Sequence, residues 1–147
     1  MRLTKHTDYA LRVLLFAASH PDRHVSSEEI SEAFGISPNH LVKVVHRLGK
    51  SGFVAIRRGR TGGLSLARPP EEIRLGDVVA ATEPDFFAVE CFDREHNTCA
   101  LAPACALIPP LRQAMAAFLA ELNRHTLADV AGARHRVRYL KLLQERP

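Results

Sequence analysis

Three cysteines, Cys91, Cys99 and Cys105, are the only ones in this chain of 147 residues, and they stand as Cys-x7-Cys-x5-Cys in a single stretch. An odd count, in a chain whose start does not read as a secretion signal, argues against a disulfide framework. Their clustering points instead to metal ligation or thiol redox chemistry. Structural zinc sites usually draw their thiolates from close C-x2–4-C pairs, and the gaps here are wider. Soft thiolates suit zinc, Cu(I) or an iron–sulfur cluster. The corners of a cluster lie several ångströms apart, so wide gaps suit it better than a single zinc ion. Three thiolates leave one position for another ligand, and a weak oxygen donor there would leave an iron open to a small molecule. Three free or disulfide-forming cysteines are the alternative reading.

The composition sets the frame for that loop. Hydrophobic residues make up 46% of the chain and charged residues 24%, as in a soluble, folded protein of one domain, or one domain with an appended arm. No apolar run approaches the ~18 residues of a membrane span. The opening Met1-Arg2-Leu3-Thr4-Lys5-His6 runs into a helical pattern without a small-residue cleavage site, so a cytoplasmic protein is expected. No G-x-G-x-x-G, Walker, G-x-S-x-G or H-E-x-x-H pattern is present, which leaves an enzyme or electron carrier without support beyond the cysteines. The net charge of +4 conceals an asymmetry. Residues 1–70 hold 11 basic and 5 acidic side chains, whereas residues 71–147 hold 9 basic and 11 acidic. A basic first half suits a polyanion, and a slightly acidic second half suggests a separate task.

Periodicity supplies the elements. Residues 8–18 read as a buried first helix ending by His20-Pro21. Ser26-Ser27-Glu28-Glu29 has capping-box spacing for a short second helix, which Gly35 terminates. Ser37 as cap and Pro38 at the first helical position restart the chain as a third helix. Its Leu41, Val44, Val45 and Leu48 make a core stripe, and His40, Lys43, Arg47 and Lys50 lie on the other side. This is a helix-turn-helix with a basic outer face, whose second helix would enter a major groove. Residues 53–56 and 64–67 read as strands around Arg57-Arg58-Gly59-Arg60-Thr61-Gly62-Gly63, a glycine-rich basic tip. A basic hairpin after a reading helix is a wing, and arginine at its tip suits a narrow minor groove. Ser37, Asn39, His40 and Lys43 are thus expected at bases or phosphates, Arg47 and Lys50 at phosphates, and Arg58 and Arg60 at the wing contact.

A short helix is expected over residues 73–81, and residues 85–105 show no periodicity. A loop that long in a small domain is usually functional. After Pro109-Pro110, Leu111, Met115, Phe118 and Leu122 recur as a heptad-like seam suited to dimerisation, and a dimer reads a two-fold site. The expected architecture is mainly α with a small β-hairpin wing: a winged helix-turn-helix over residues 1–83, a cluster-binding loop over 84–109, a dimerisation helix over 110–131 and a basic, frayed arm over 132–147.

Several motifs together carry a resemblance over residues 1 to about 131. They are Met1-Arg2-Leu3-Thr4 with Asp8-Tyr9-Ala10-Leu11-Arg12; Ser37-Pro38-Asn39-His40-Leu41; Gly52-Phe53-Val54; Arg58 to Ala67; Val89-Glu90-Cys91-Phe92; and Leu101-Ala102-Pro103-Ala104-Cys105. On these the chain resembles the Rrf-type winged-helix regulators, and within them the nitric-oxide-sensitive iron–sulfur repressors. The resemblance implies that Cys91, Cys99 and Cys105 ligate one [4Fe–4S] or [2Fe–2S] cluster per subunit. Asp8 matches the position that supplies an oxygen ligand from the partner subunit. Related regulators of iron–sulfur biogenesis carry a histidine three residues after the last cysteine; Ile108 stands there in this chain. His96, in the middle of the loop, is a substitute candidate, and the first gap of seven residues is longer than the family pattern. The implied function is a homodimeric repressor on double-stranded operator DNA, released when nitric oxide attacks the cluster, so that detoxification genes are expressed. A winged-helix regulator sensing iron–sulfur, zinc or thiol redox status is the alternative.

Overall fold

A computed structural model describes residues 2–59 and 62–145, with Gln144 described by its main chain alone. The first helix, α1 (Lys5–Ala18), begins three residues before the periodicity suggests, because Thr4 caps it: the Thr4 Oγ1 accepts the Thr7 N–H at 3.3 Å. Ala10, Val13, Leu14, Phe16 and Ala17 are buried along it, so α1 is the central element of the core. It ends where the Ser19 hydroxyl donates to the Leu15 carbonyl at 2.8 Å.

The expected capping box opens α2 (Ser27–Phe34). The Ser26 Oγ accepts the Glu29 N–H at 3.1 Å, and the Glu29 carboxylate accepts the Ser26 N–H at 2.7 Å. The Arg23 guanidinium bonded to Glu29 holds that carboxyl down to about 2. Gly35 closes α2 in the left-handed region at φ 64°, where a side chain would be strained. Ser37 and Pro38 then start α3 (Pro38–Lys50), which buries Leu41, Val44, Val45 and Leu48 as expected.

Strands β1 (Val54–Arg57) and β2 (Gly63–Leu66) pair antiparallel, with Val54 opposite Leu66 and Arg57 opposite Gly63. Each lies one residue from the range expected. The hairpin is anchored at both sides. Phe53 donates to the Leu48 carbonyl at 3.0 Å, and Val25, just before α2, exchanges two backbone hydrogen bonds with Leu64 at 2.8 and 2.9 Å.

Beyond a single 3-10 turn at Pro70–Glu72, α4 (Leu75–Thr82) buries Val78 and Val79. The segment after it has only two short 3-10 turns, Glu90–Phe92 and Ala102–Ala104, before α5 (Ile108–Leu122). Pro109 and Pro110 sit in the first turn of α5, where no N–H is needed, so the helix starts before them. Helices α4 and α5 cross at Gly76, where an added Cβ would lie 2.6 Å from the Leu119 carbonyl oxygen and closer still to the Asn123 side chain.

The seam helix stops at Leu122. Thr126 and Asp129 form a second capping box at the start of α6 (Leu127–Ala131), whose Leu127 is buried in the core. The interruption is held by backbone bonds to the start of α4 and the residues before it: Leu127 donates to Ile73 at 2.7 Å and Leu75 to His125 at 3.0 Å. The frayed arm suggested by its basic composition is instead helical as α7 (Ala133–Gln144). Tyr139 donates to the Val130 carbonyl at 3.0 Å, Leu143 packs on the core, and Arg136 reaches Asp22 at 3.7 Å. Apolar side chains at i, i+3 and i+4 among the arginines supply the docking face. The described residues thus form seven α-helices and a two-stranded wing, the mainly α architecture expected. No helix among them is long and apolar enough to cross a membrane.

Candidate nucleic-acid interface and cysteine loop

The outer face of α3 is built by the burial of its inner one. With Leu41, Val44, Val45 and Leu48 turned inward, Asn39, His40, Lys43, Arg47 and Lys50 are exposed or nearly so. Ser37 is exposed as well, and its Oγ accepts the His40 N–H at 3.4 Å, so it serves as cap at the start of that face. Two residues of α1 not singled out by the sequence join it. Lys5 and His6 line a cleft with Tyr9, His40, Lys43 and Val44, and the Tyr9 and His40 rings stand 6.3 Å apart. Burial pushes the His6 imidazole below its ordinary value, with the Arg47 charge acting the same way and Glu83 opposing. A lysine and a histidine, four and three residues before an aromatic, carry no signal of their own; only the α1–α3 packing puts them here.

Arg47 differs from its neighbours. Its Nε donates to the Ala81 carbonyl, in the last turn of α4, at 2.6 Å. At the wing, Arg57 and Arg58 are exposed and Gly59 adopts a φ of 112°. Arg60 and Thr61, expected at the tip, lie outside the described residues.

The cysteine segment is organised by two carboxylates. Glu90 accepts the Thr98 N–H at 2.6 Å and the Thr98 hydroxyl at 2.7 Å, which holds its carboxyl below the usual range. Each partner is next in sequence to a cysteine, so the bond staples the Cys91 end of the loop to the Cys99 end. Asp93 accepts from the Glu95 N–H at 3.0 Å and pairs with His96 Nδ1 at 2.8 Å, and the histidine lowers its pKa. The His96 ring is thereby oriented by Asp93 while remaining mostly exposed. Cys99 N–H donates to the Asn97 side-chain oxygen at 3.1 Å. All three thiols are free, Cys99 exposed and the other two half-buried. Among the described residues no three side chains of metal-ligating type are gathered at one point. The donor set is right for a soft metal centre; its convergence is not present in the single chain.

Asp8, the candidate oxygen ligand, lies in the first turn of α1 and forms a two-bond ion pair with Arg12, at 2.7 and 3.1 Å. The Arg12 guanidinium also lies over the Tyr9 and Phe34 rings. The seam residues Leu111, Met115, Phe118 and Leu122 are only half-buried, and α5 has no fully buried residue. Ile108 opens α5, and no histidine stands in its place.

A helix-turn-helix with a basic outer face, followed by a glycine-tipped hairpin, defines a winged-helix transcription regulator. The chain belongs to the Rrf2 family, described as an iron-dependent transcriptional regulator, which it matches over residues 3–133. It is 44% identical over 146 residues to the HTH-type transcriptional regulator NsrR of Bacillus subtilis, covering 99% of this chain and 100% of that one. It is 48% identical over 131 residues to NsrR of Shouchella clausii, covering 88% of each. Among solved structures the fold matches IscR of T. potens (TM-score 0.69, 22% identity, 100% of this chain and 93% of that one). It also matches CymR, the global cysteine regulator of B. subtilis (TM-score 0.66, 24% identity, 89% and 96%).

Proposed function

We propose that this regulator is a nitric-oxide-sensing repressor, acting in the cytoplasm as a homodimer on two-fold operator DNA. Cys91, Cys99 and Cys105 of one subunit and Asp8 of the partner subunit would hold one [4Fe–4S] or [2Fe–2S] cluster. The observation that carries the reading is the donor set: three free thiols on one stapled loop, in a chain of an iron-dependent regulator family. Bound there, the cluster would supply iron centres that react with nitric oxide.

The chain's own residues do the rest. The Glu90–Thr98 staple limits how far Cys91 and Cys99 can separate, which lowers the entropy lost on ligation. Asp8 is only half-exposed but keeps its carboxylate at the surface, and it exchanges the Arg12 pair for the ligand role. Such a pair at the surface contributes no more than about 1 kcal/mol, so a metal bond displaces it readily. Ligation would tie α1 of one subunit to the loop of the other and set the separation of the two α3 helices, about one helical turn of DNA apart. Asn39, His40 and Lys43 then address bases or phosphates, Lys50 phosphates, and the wing arginines the minor groove.

The test is anaerobic purification followed by operator binding in loaded, nitrosylated and cluster-free forms. A brown protein with near-stoichiometric iron and sulfide, whose operator affinity falls on adding nitric oxide, is the expected result. A colourless protein containing zinc, or one answering only to thiol oxidation, would favour the alternative sensor. If Asp8→Ala bound and released the operator just as the parent does, the cross-subunit tie would not be the switch.

A further inference from the structure

We infer that Arg47 is a positioning residue that couples the cysteine loop to the reading helix, and that it is not one of the phosphate contacts. The inference rests on the function proposed above and names the route inside one subunit by which the loop would reach α3.

Helix α4 ends at Thr82, and its last carbonyls need partners. The Val78 carbonyl accepts the Thr82 hydroxyl at 2.8 Å, and the Val79 carbonyl accepts the Glu83 N–H at 2.9 Å. The Ala81 carbonyl is taken by Arg47 Nε at 2.6 Å, across 34 residues of sequence. A guanidinium on a helix C-terminus is favoured by both its charge and the helix dipole. Two residues further on, the Glu83 carboxylate accepts the Thr4 N–H at 2.9 Å and the Thr4 hydroxyl at 3.0 Å, so the start of α1 hangs from the same corner. His6 lies in the electrostatic field of both Arg47 and Glu83. The chain leaves this corner through Pro84 into the cysteine loop. The reading helix and the start of α1, which carries Asp8, are thus both fastened to the residues from which the loop departs. A loop that shifts α4's last turn moves both attachments together. With its Nε–H on the Ala81 carbonyl, the exposed Arg47 guanidinium is held against the last turn of α4.

Two variants of the full-length dimer separate the roles, with a duplex selected from a random pool by the cluster-loaded parent as the probe. Arg47→Gln removes the charge, and Arg47→Lys keeps the charge without the planar Nε–H. Operator affinity is measured with and without the cluster, each over a series of salt concentrations, and folding is checked by thermal melting. Each lost phosphate contact would lower the slope of log K against log salt by about 0.9, or about 1.8 for a dimer. For a positioning residue the slope stays at the parent value in both variants. The ratio of loaded to cluster-free affinity, about 5- to 150-fold for an ordinary coupling, falls towards one in both. A lower slope in Arg47→Gln with the ratio intact would overturn the inference, as would a full ratio in Arg47→Lys. A parent protein whose affinity ignores the cluster would overturn the proposed function and this coupling together; a parent ratio retained by both variants overturns the coupling alone.

Discussion

Asp8 and Arg12 show how one side chain can be held in reserve. Four residues apart on α1, they meet in two short bonds, and the arginine is steadied by Tyr9 and Phe34 beneath it. If Asp8 serves as a ligand, Arg12 competes with the metal for it. Arg12→Ala should then slow cluster loss to an iron chelator, by up to about fivefold, since an exposed pair is worth no more than about 1 kcal/mol. Asp8→Ala should speed it. Decay of the visible absorbance in the presence of chelator measures both, and faster loss in Arg12→Ala would show that the pair supports the site. In the loop, Glu90 and Asp93 play a comparable part, since Glu90 accepts the N–H of Thr98 beside Cys99 and Asp93 accepts the N–H groups of Glu95 and His96. Neither acid shows this bracing role as a sequence letter, because a glutamate next to a cysteine has no spacing rule attached to it.

Helix boundaries here follow capping chemistry more closely than apolar period. Thr4, Ser26, Ser37 and Thr126 each accept an N–H at the start of a helix. The Ser26–Glu29 box was legible from spacing; the Thr126–Asp129 box was hidden behind the heptad-like run before it. Glu29 ties the cap to pH. Its folded pKa, near 2, lies below the ordinary 4.5, so the unfolded chain binds the proton more tightly. Its contribution to stability is complete above about pH 4.5 and is lost as pH falls from there through about 2. Glu29→Gln should therefore flatten the stability profile in that acid window, as read by urea unfolding at a series of pH values. At Gly76 helix α4 lies close against α5, with the Leu119 carbonyl oxygen 2.6 Å from where a Cβ would stand. Gly76→Ala should cost about 1–3 kcal/mol by overpacking, measured by the same method. A cost near zero would mean that α5 can slide on α4.

Across the whole molecule, the basic head and the acidic second half are more interleaved than a linear division suggests. Leu127 and Ala131 lie in the same core as α1, and α7 faces Leu15, Phe16 and Phe34 across an apolar pocket of about 260 Å³. What the single chain leaves open is α5. Its Leu111, Met115, Phe118 and Leu122 are half-buried, while core leucines such as Leu14 and Leu41 are fully enclosed. A second copy laid along this seam would bury the remainder. Leu111→Glu should therefore shift sedimentation from dimer to monomer and reduce operator binding to that of a single half-site; a variant that stays dimeric would place the interface elsewhere.

Local chemistry determined the helix-turn-helix, the wing and the three thiols, because their signals lie within a few residues: an apolar period, a Ser-Pro start, glycines around arginines, cysteines with no partners elsewhere. Tertiary structure alone decided which of the basic residues are free. Arg47 looks like Lys43 and Lys50 in the sequence, yet a carbonyl 34 residues away occupies its Nε. Lys5 and His6 join the exposed basic face of α3 only because α1 packs against α3. The composition of α7 reads as a solvated arm, and its docking depends on an apolar surface made by α1 and α2. In each case the deciding partner is distant in sequence, so its chemistry is set by packing, which local pattern does not encode.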